Sequence, residues 1–220
     1  MDPRPTERFT SRVNDYIRYR PDYPATLIPL LRHEIGLAPD WVVADVGSGP
    51  GNLTRRFLDF GCSVYGVEPN VAMREAGERL MAGDARFTSV AGSAEATTLA
   101  SGSIDLITAG QAFHWFDPVP TRAEFRRILK APGWVALIWN RRPEESSDML
   151  DEYSAMLRRY SLEYERVSVQ YDRSTTGMRL LFGDNGYRSF TLPHEQILDA
   201  AGFWGRLRSA SYTPLPGEPG

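Results

Sequence analysis

The chain has 220 residues with 28 acidic and 25 basic side chains, a formal net charge of −3, which weighs against a nucleic-acid binder working through a broad positive field. Hydrophobic residues make up 42% and aromatics 11%, the balance of a globular chain that buries roughly 70% of its unfolded surface without staples. The one cysteine, Cys62, excludes an internal disulfide and a cysteine-rich zinc site.

Met1–Thr10 carries Pro, Arg and Glu and no apolar stretch, so no signal peptide is expected. No apolar run approaches membrane length. A single cytoplasmic domain, monomeric or homodimeric and without a membrane or nucleic-acid partner, is the expectation.

In chain order, Arg8–Tyr23 is aromatic and basic, and the chain breaks at Pro21 and restarts at Pro24, a good first helical residue. Leu27, Ile28, Leu30, Leu31 and Ile35 have helical spacing, Gly36 ends the run, and Pro29 inside it predicts a kink. Short apolar runs then alternate with amphipathic stretches. Strands are expected at Trp41–Val46, Cys62–Val67, Arg86–Val90, Ile104–Ala109 and Trp134–Trp139. Helices are expected at Asn52–Phe60, Val71–Met81, Val119–Lys130 and from Glu144 to about Glu165, with another opening at His194. Tyr187–Leu192 reads as a sixth strand, and Ser209–Gly220, with three prolines, as loop. This alternation predicts an α/β fold, a Rossmann-like doubly wound and mostly parallel sheet flanked by helices. Residues 1–36 would form a helical lid, 37–140 a cofactor-binding core, and 141–220 a substrate-side helix and C-terminal strand region.

The segment Val42–Thr54 is strand, glycine-rich turn and helix start, with Gly47, Ser48, Gly49 and Gly51 in the turn. In open α/β sheets such a turn lies where ligands bind, and glycines let a ligand approach the backbone. The third glycine comes one residue too early for a dinucleotide fingerprint. Asp45, two positions before the first glycine, would repel pyrophosphate and suits an ammonium. The second strand ends in Glu68-Pro69, where a carboxylate can accept hydrogen bonds from a ribose diol. An NAD site would also put an acid there, so Glu68 alone leaves an oxidoreductase open.

The loop and its acid resemble motif I of the S-adenosylmethionine-dependent methyltransferases. Gln111-Ala112-Phe113-His114-Trp115, Asn14–Pro24 and Leu207–Tyr212 resemble segments of a small-molecule subgroup of that family, the type 11-like methyltransferases. The resemblance implies S-adenosylmethionine as cofactor, with Asp45, Gly47, Ser48, Gly49, Gly51, Glu68 and Pro69 around its methionine and ribose. Ser93 and Ala94 would lie at the adenine, and Gln111 would complete the cofactor set. His114 is the candidate base, read equally well as a packing histidine. Tyr16, Arg20, Tyr23 and Trp115 would line the site of a small-molecule acceptor, Arg20 pairing a carboxylate. A cofactor-binding protein without catalysis is the other alternative. No cluster of His and carboxylates has metal-ligand spacing, so no metal is expected. A methyltransferase sheet of this type ends in an antiparallel seventh strand. No candidate for it precedes Gly220, so an incomplete sheet edge is expected.

Overall fold

The computed structural model describes residues 10–142, 147–161, 164, 176–183 and 186–214. Five parallel strands form one sheet in the order β3-β2-β1-β4-β5: β1 (Val42–Val46), β2 (Ser63–Val67), β3 (Phe87–Val90), β4 (Ile104–Gly110) and β5 (Leu129–Ile138). Around it lie α1 (Val13–Tyr19), α2 (Leu27–Ile35), α3 (Asn52–Phe60), α4 (Val71–Leu80), α5 (Pro118–Ile128), α6 (Asp148–Tyr160), α7 (176–182) and α8 (Ala200–Arg208).

The period of two along each strand sends alternate side chains into two cores. Val43, Val64 and Leu106 pack with Leu27, Leu31, Leu53 and Phe57 on one face. Ala44, Val46, Val67 and Ile107 pack with Phe113, Phe125 and Ile128 on the other. Both faces are covered, which is why the central strands read as nearly continuous apolar runs.

The helix ends follow local chemistry. Gly36 and Gly61 take the left-handed conformation that closes α2 and α3. Asn70, Asp117 and Ser147 accept backbone N–H bonds at the starts of α4, α5 and α6. Because Ser147 caps α6, that helix begins at Asp148 and ends at Tyr160, shorter than the spacing predicts, and residues 144–146 and 165 lie outside the described residues.

Several expectations are corrected. Pro24 does not open a helix: its carbonyl accepts from Leu27 N at 3.0 Å in a turn, and α2 starts at Leu27. Pro29 does not kink α2, because it is the third residue of that helix, where a missing N–H costs no hydrogen bond. Helix α5 stops at Ile128 and β5 begins at once, pairing Leu129 with Ile104 before a bulge and resuming at Trp134 with Leu106. Tyr187–Leu192 is not a strand. Tyr187 and Phe190 are three residues apart, a spacing that cannot share a strand face, and they are 47% and 49% exposed. Arg188 there binds Glu34 of α2 at 2.6 Å. The last helix does not open at His194 but at Ala200, where the Asp199 carboxylate accepts from Gly202 N at 2.7 Å. Residues 209–214 contain no strand, and 215–220 lie outside the described residues. Strand β5 is thus an edge among the described residues.

Helix α8 docks on α1. Buried Arg12 donates from Nη1 to the carbonyls of Arg208 and Ala210, both at 2.9 Å, and Arg20 Nη2 donates to Ser209 O at 3.0 Å. Two cations thereby satisfy the carbonyls that end α8. Gly205 is required at the crossing, since a Cβ there would collide with the Tyr19 ring. Through Val13 and Tyr16, α1 also packs on Met73 and Ala76 of α4.

Candidate active site

The strand order reverses between β1 and β4, and in such sheets the crevice beyond the strand ends at that point is where ligands bind. The glycine loop follows β1 there, and the segment Gln111–Trp115 follows β4. The two touch: a Cβ on Gly47 would lie 2.5 Å from Ala112 Cβ.

Gly47, Gly49 and Gly51 have φ of 69°, 56° and 95°, the left-handed region that glycine enters at no steric cost. Gly47 N and Ser48 N donate to Val67 O at 2.8 and 3.2 Å, which ties the loop to β2. A Cβ on Gly51 would collide with Met81, whereas one on Gly49 meets nothing within 4 Å. The loop therefore presents bare backbone to open space at Gly49.

Asp45 is fully buried on β1. Its Oδ2 accepts from Thr54 Oγ1 at 2.7 Å and its Oδ1 from Thr108 Oγ1 at 3.0 Å, joining β1, α3 and β4. Burial outweighs those hydroxyls and pushes its carboxyl up from 3.8 to about 6. Glu68 accepts from Gly49 N and Asn70 N, both at 2.8 Å, and burial raises its pKa as well. Among the described residues neither acid is ion-paired.

The other residues expected at the cofactor follow β2, β3 and β4. Pro69 is exposed beside Glu68. Ser93 lies in the turn after β3, exchanging backbone hydrogen bonds with Ala96, and Ala94 points into the core with Val46 and Val67. Gln111, at the end of β4, holds φ at 58°, a strained conformation for a residue with a side chain, and its Nε2 donates to Asn140 O at 3.2 Å.

The residues expected at the acceptor come from α1, the segment after it and the turn after β4. The Tyr23 hydroxyl sits over Gly110 so closely that a Cβ there would strike it. The Arg20 guanidinium lies 5.2 Å from the Tyr16 ring centroid. His114 and Trp115 form one 3-10 turn with ring centroids 4.8 Å apart. Burial, then the charge of Arg20, lowers the His114 pKa from 6.5 to about 4. Tyr16 bridges the two sides, for its hydroxyl feels Arg20 and Arg206 as well as Glu68 and Asp45.

Sequence reasoning missed Thr54, Thr108 and Arg206. A hydroxyl in the first turn after the loop was a usable signal for Thr54; nothing local marked the other two. Among the described residues no group of three His, Cys, Asp or Glu side chains could hold a metal ion, and no helix is long and apolar enough to cross a membrane.

Residues 44–137 match the methyltransferase-domain family. The chain is 34% identical over 143 residues to an uncharacterized methyltransferase of Mycobacterium bovis, covering 62% of this chain and 53% of that one. It is 33% identical to an uncharacterized methyltransferase of Schizosaccharomyces pombe over 61% of this chain and 53% of the other. It thus spans about half the length of these curated relatives. A solved structure from Anaeromyxobacter dehalogenans, described as a candidate type II methyltransferase, is 29% identical with a TM-score of 0.53 over 65% of this chain and 60% of that chain. Another, from Methanococcus maripaludis, shares the fold at 19% identity and TM-score 0.53 over 78% of both chains. The matched stretch takes in the glycine loop, both acids, strands β2 to β4 whole and parts of β1 and β5, so this segment of the chain is similar to a methyltransferase domain.

Proposed function

We propose that this chain transfers a methyl group from S-adenosylmethionine to a small-molecule acceptor. The observation that carries this reading is the pairing of an open left-handed glycine loop with two buried acids that no cation of the described chain neutralises. Such a cradle fits a ligand with an ammonium and a sulfonium better than one with a pyrophosphate.

S-adenosylmethionine supplies a methyl on a sulfonium, a leaving group that needs little further activation. The protein's part is alignment and exclusion of water, which can lower a barrier by roughly 7–11 kcal/mol without a covalent catalyst. Gly47, Ser48, Gly49 and Gly51 would pass beneath the cofactor. Glu68, with lone pairs beyond those used by Gly49 and Asn70, would accept from its ribose. Pro69, Ser93 and Ala94 would border the adenine end, and Gln111 the opposite flank. Asp45, whose oxygens are both on threonine hydroxyls, would act through its charge beneath the loop rather than by direct contact.

Tyr16, Arg20, Tyr23, His114 and Trp115 would face the acceptor. His114 is an uncharged imidazole at neutral pH, able to orient an acceptor hydrogen and to take a proton only weakly. The chain works as one cytoplasmic domain, monomeric or homodimeric, with residues 1–36 as lid, 37–140 as core and 141–220 on the substrate side; the α1–α8 docking supports the first and last of these meeting. Calorimetric titration with S-adenosylhomocysteine tests the reading, followed by methyl transfer from labelled S-adenosylmethionine to an acceptor panel. No binding of S-adenosylhomocysteine would end it.

A further inference from the structure

Three arginines lie close enough to feel one another's charge, and among the described residues no acid is ion-paired to any of them. Arg20 comes from the end of α1, Arg206 from the last turn of α8, and Arg142 from the segment after β5. The Arg142 guanidinium stands 4.3 Å from the centroid of the Tyr153 ring, and that ring packs edge-on against Phe203 at 5.6 Å. Tyr153 feels the charge of all three arginines, as Tyr16 feels that of Arg20 and Arg206.

Their donors are mostly unspent. Arg20 uses Nη2 on Ser209 O, while its buried Nε has no hydrogen-bond partner among the described residues. Arg206 makes no side-chain hydrogen bond or ion pair among the described residues, although neighbouring arginines do: Arg208 reaches Asp15 at 3.2 Å and Arg56 reaches Asp22 at 2.7 Å. Arg206 is only partly exposed. A cation withdrawn from water beside two others, with donors free, is costly unless something negative completes it.

We propose that Arg206, with Arg20 and Arg142, forms an anion subsite, so that the acceptor carries a carboxylate or phosphate seated between the Tyr16 and Tyr153 rings. A guanidinium fork matches either group bidentately, and the rings suit a flat body attached to it. The burial that pushes the Arg206 pKa down to about 10, reinforced by Arg20 and Arg142, is the cost that a bound anion would remove. This assignment rests on the methyltransferase reading for its placement beside the methyl donor.

The test titrates the full chain, saturated with S-adenosylhomocysteine, with benzoate, phenyl phosphate and benzamide. One or both anions should bind at least tenfold tighter than the neutral amide, weakening as salt rises, and the preferred anion distinguishes the carboxylate source from the phosphate one. Arg206→Met should cut anion affinity at least tenfold, leave S-adenosylhomocysteine affinity within twofold, and raise the melting temperature of the ligand-free protein. A residue serving only the fold would lower that temperature. Arg206→Lys, which keeps the charge without the fork, should bind anions with intermediate affinity and guards against a Met variant that fails to fold. Equal affinity for benzoate, phenyl phosphate and benzamide, no anion binding at millimolar concentration, or unchanged anion affinity in either variant would overturn the proposal. Failure of S-adenosylhomocysteine to bind the wild type would instead strike the methyltransferase reading.

Discussion

Replacing Asp45 with Asn should make the protein more stable and a poorer cofactor binder. The carboxyl is fully buried and raised from 3.8 to about 6, with burial as the main cause. Asn approximates the protonated acid in shape and neutrality, and Thr54 and Thr108 can rotate their hydroxyls to meet its amide. The folded state holds the Asp45 proton more tightly than the unfolded chain does. Wild-type stability from this group is therefore greatest below pH 3.8 and falls as pH rises through about 6, after which it is flat. The full difference corresponds to about 3 kcal/mol. Urea melts of both proteins from pH 4 to 7 isolate the effect, since Glu68 titrates in each. The variant should gain over wild type as pH rises, and at pH 7 melt higher by roughly 2–4 °C per kcal/mol gained. Its affinity for S-adenosylhomocysteine should fall by about tenfold, or ~1.4 kcal/mol, as suits a charge acting from beneath the loop. A variant less stable than wild type at pH 7, or a gap that does not change with pH, would refute the view that this charge is held at a cost to the fold.

Gly47→Ala should lose roughly 2–4 kcal/mol, from left-handed strain plus overlap with the short and immovable Ala112 side chain. Gly49→Ala should lose only about 1 kcal/mol of stability, because nothing lies within 4 Å, yet weaken cofactor binding much more; urea melts beside calorimetry separate the two. Arg12→Ala should cost about 2–3 kcal/mol by freeing the buried carbonyl of Ala210 and the part-buried one of Arg208, and hydrogen exchange should show protection lost in α1 and α8 together. With the His114 pKa near 4, the imidazole stays uncharged through the neutral range, so kcat/KM should show no inflection near 6.5. An inflection there that vanishes in His114→Gln would restore it as an ordinary general base.

What was legible in the sequence is what local chemistry specifies. Alternating apolar runs located all five strands, since a parallel strand buried on both faces leaves a continuous hydrophobic record. The glycine loop was legible because three positive φ angles in five residues leave almost no choice but glycine. Failures arose where a partner distant in the chain decides the outcome. Tyr187–Leu192 has strand-forming residues but pairs with no strand of the sheet, and Arg188 settles instead on Glu34, 154 residues away. Helix α8 is set by Asp199 and held by Arg12 across a separation of 196 residues. The proposed role of Arg206 depends on that docking, which brings its charge within reach of Arg20 and Tyr16. The buried state of Asp45 is a similar case: its position before the loop was visible, but the threonine hydroxyls that occupy it come from α3 and β4.

The distribution of charge follows from this assembly. Asp45 and Glu68 stand at the ends of neighbouring strands, while Arg20, Arg142 and Arg206 arrive from outside the sheet, and no ion pair joins the two sets among the described residues. Tyr16 feels both, its hydroxyl pushed one way by Glu68 and Asp45 and the other by Arg20 and Arg206. A molecule selected for stability alone would have paired or replaced the buried Asp45 and Glu68 and the partly buried Arg206, because a charge withdrawn from water without an opposite charge is costly. On the proposed function, keeping them apart leaves one pole for a cationic donor and another for an anionic acceptor. Neutralising either pole, by Asp45→Asn or Arg206→Met, should therefore raise stability and weaken only the ligand that pole serves. A substitution that weakened both ligands equally would mean that the poles form one site rather than two.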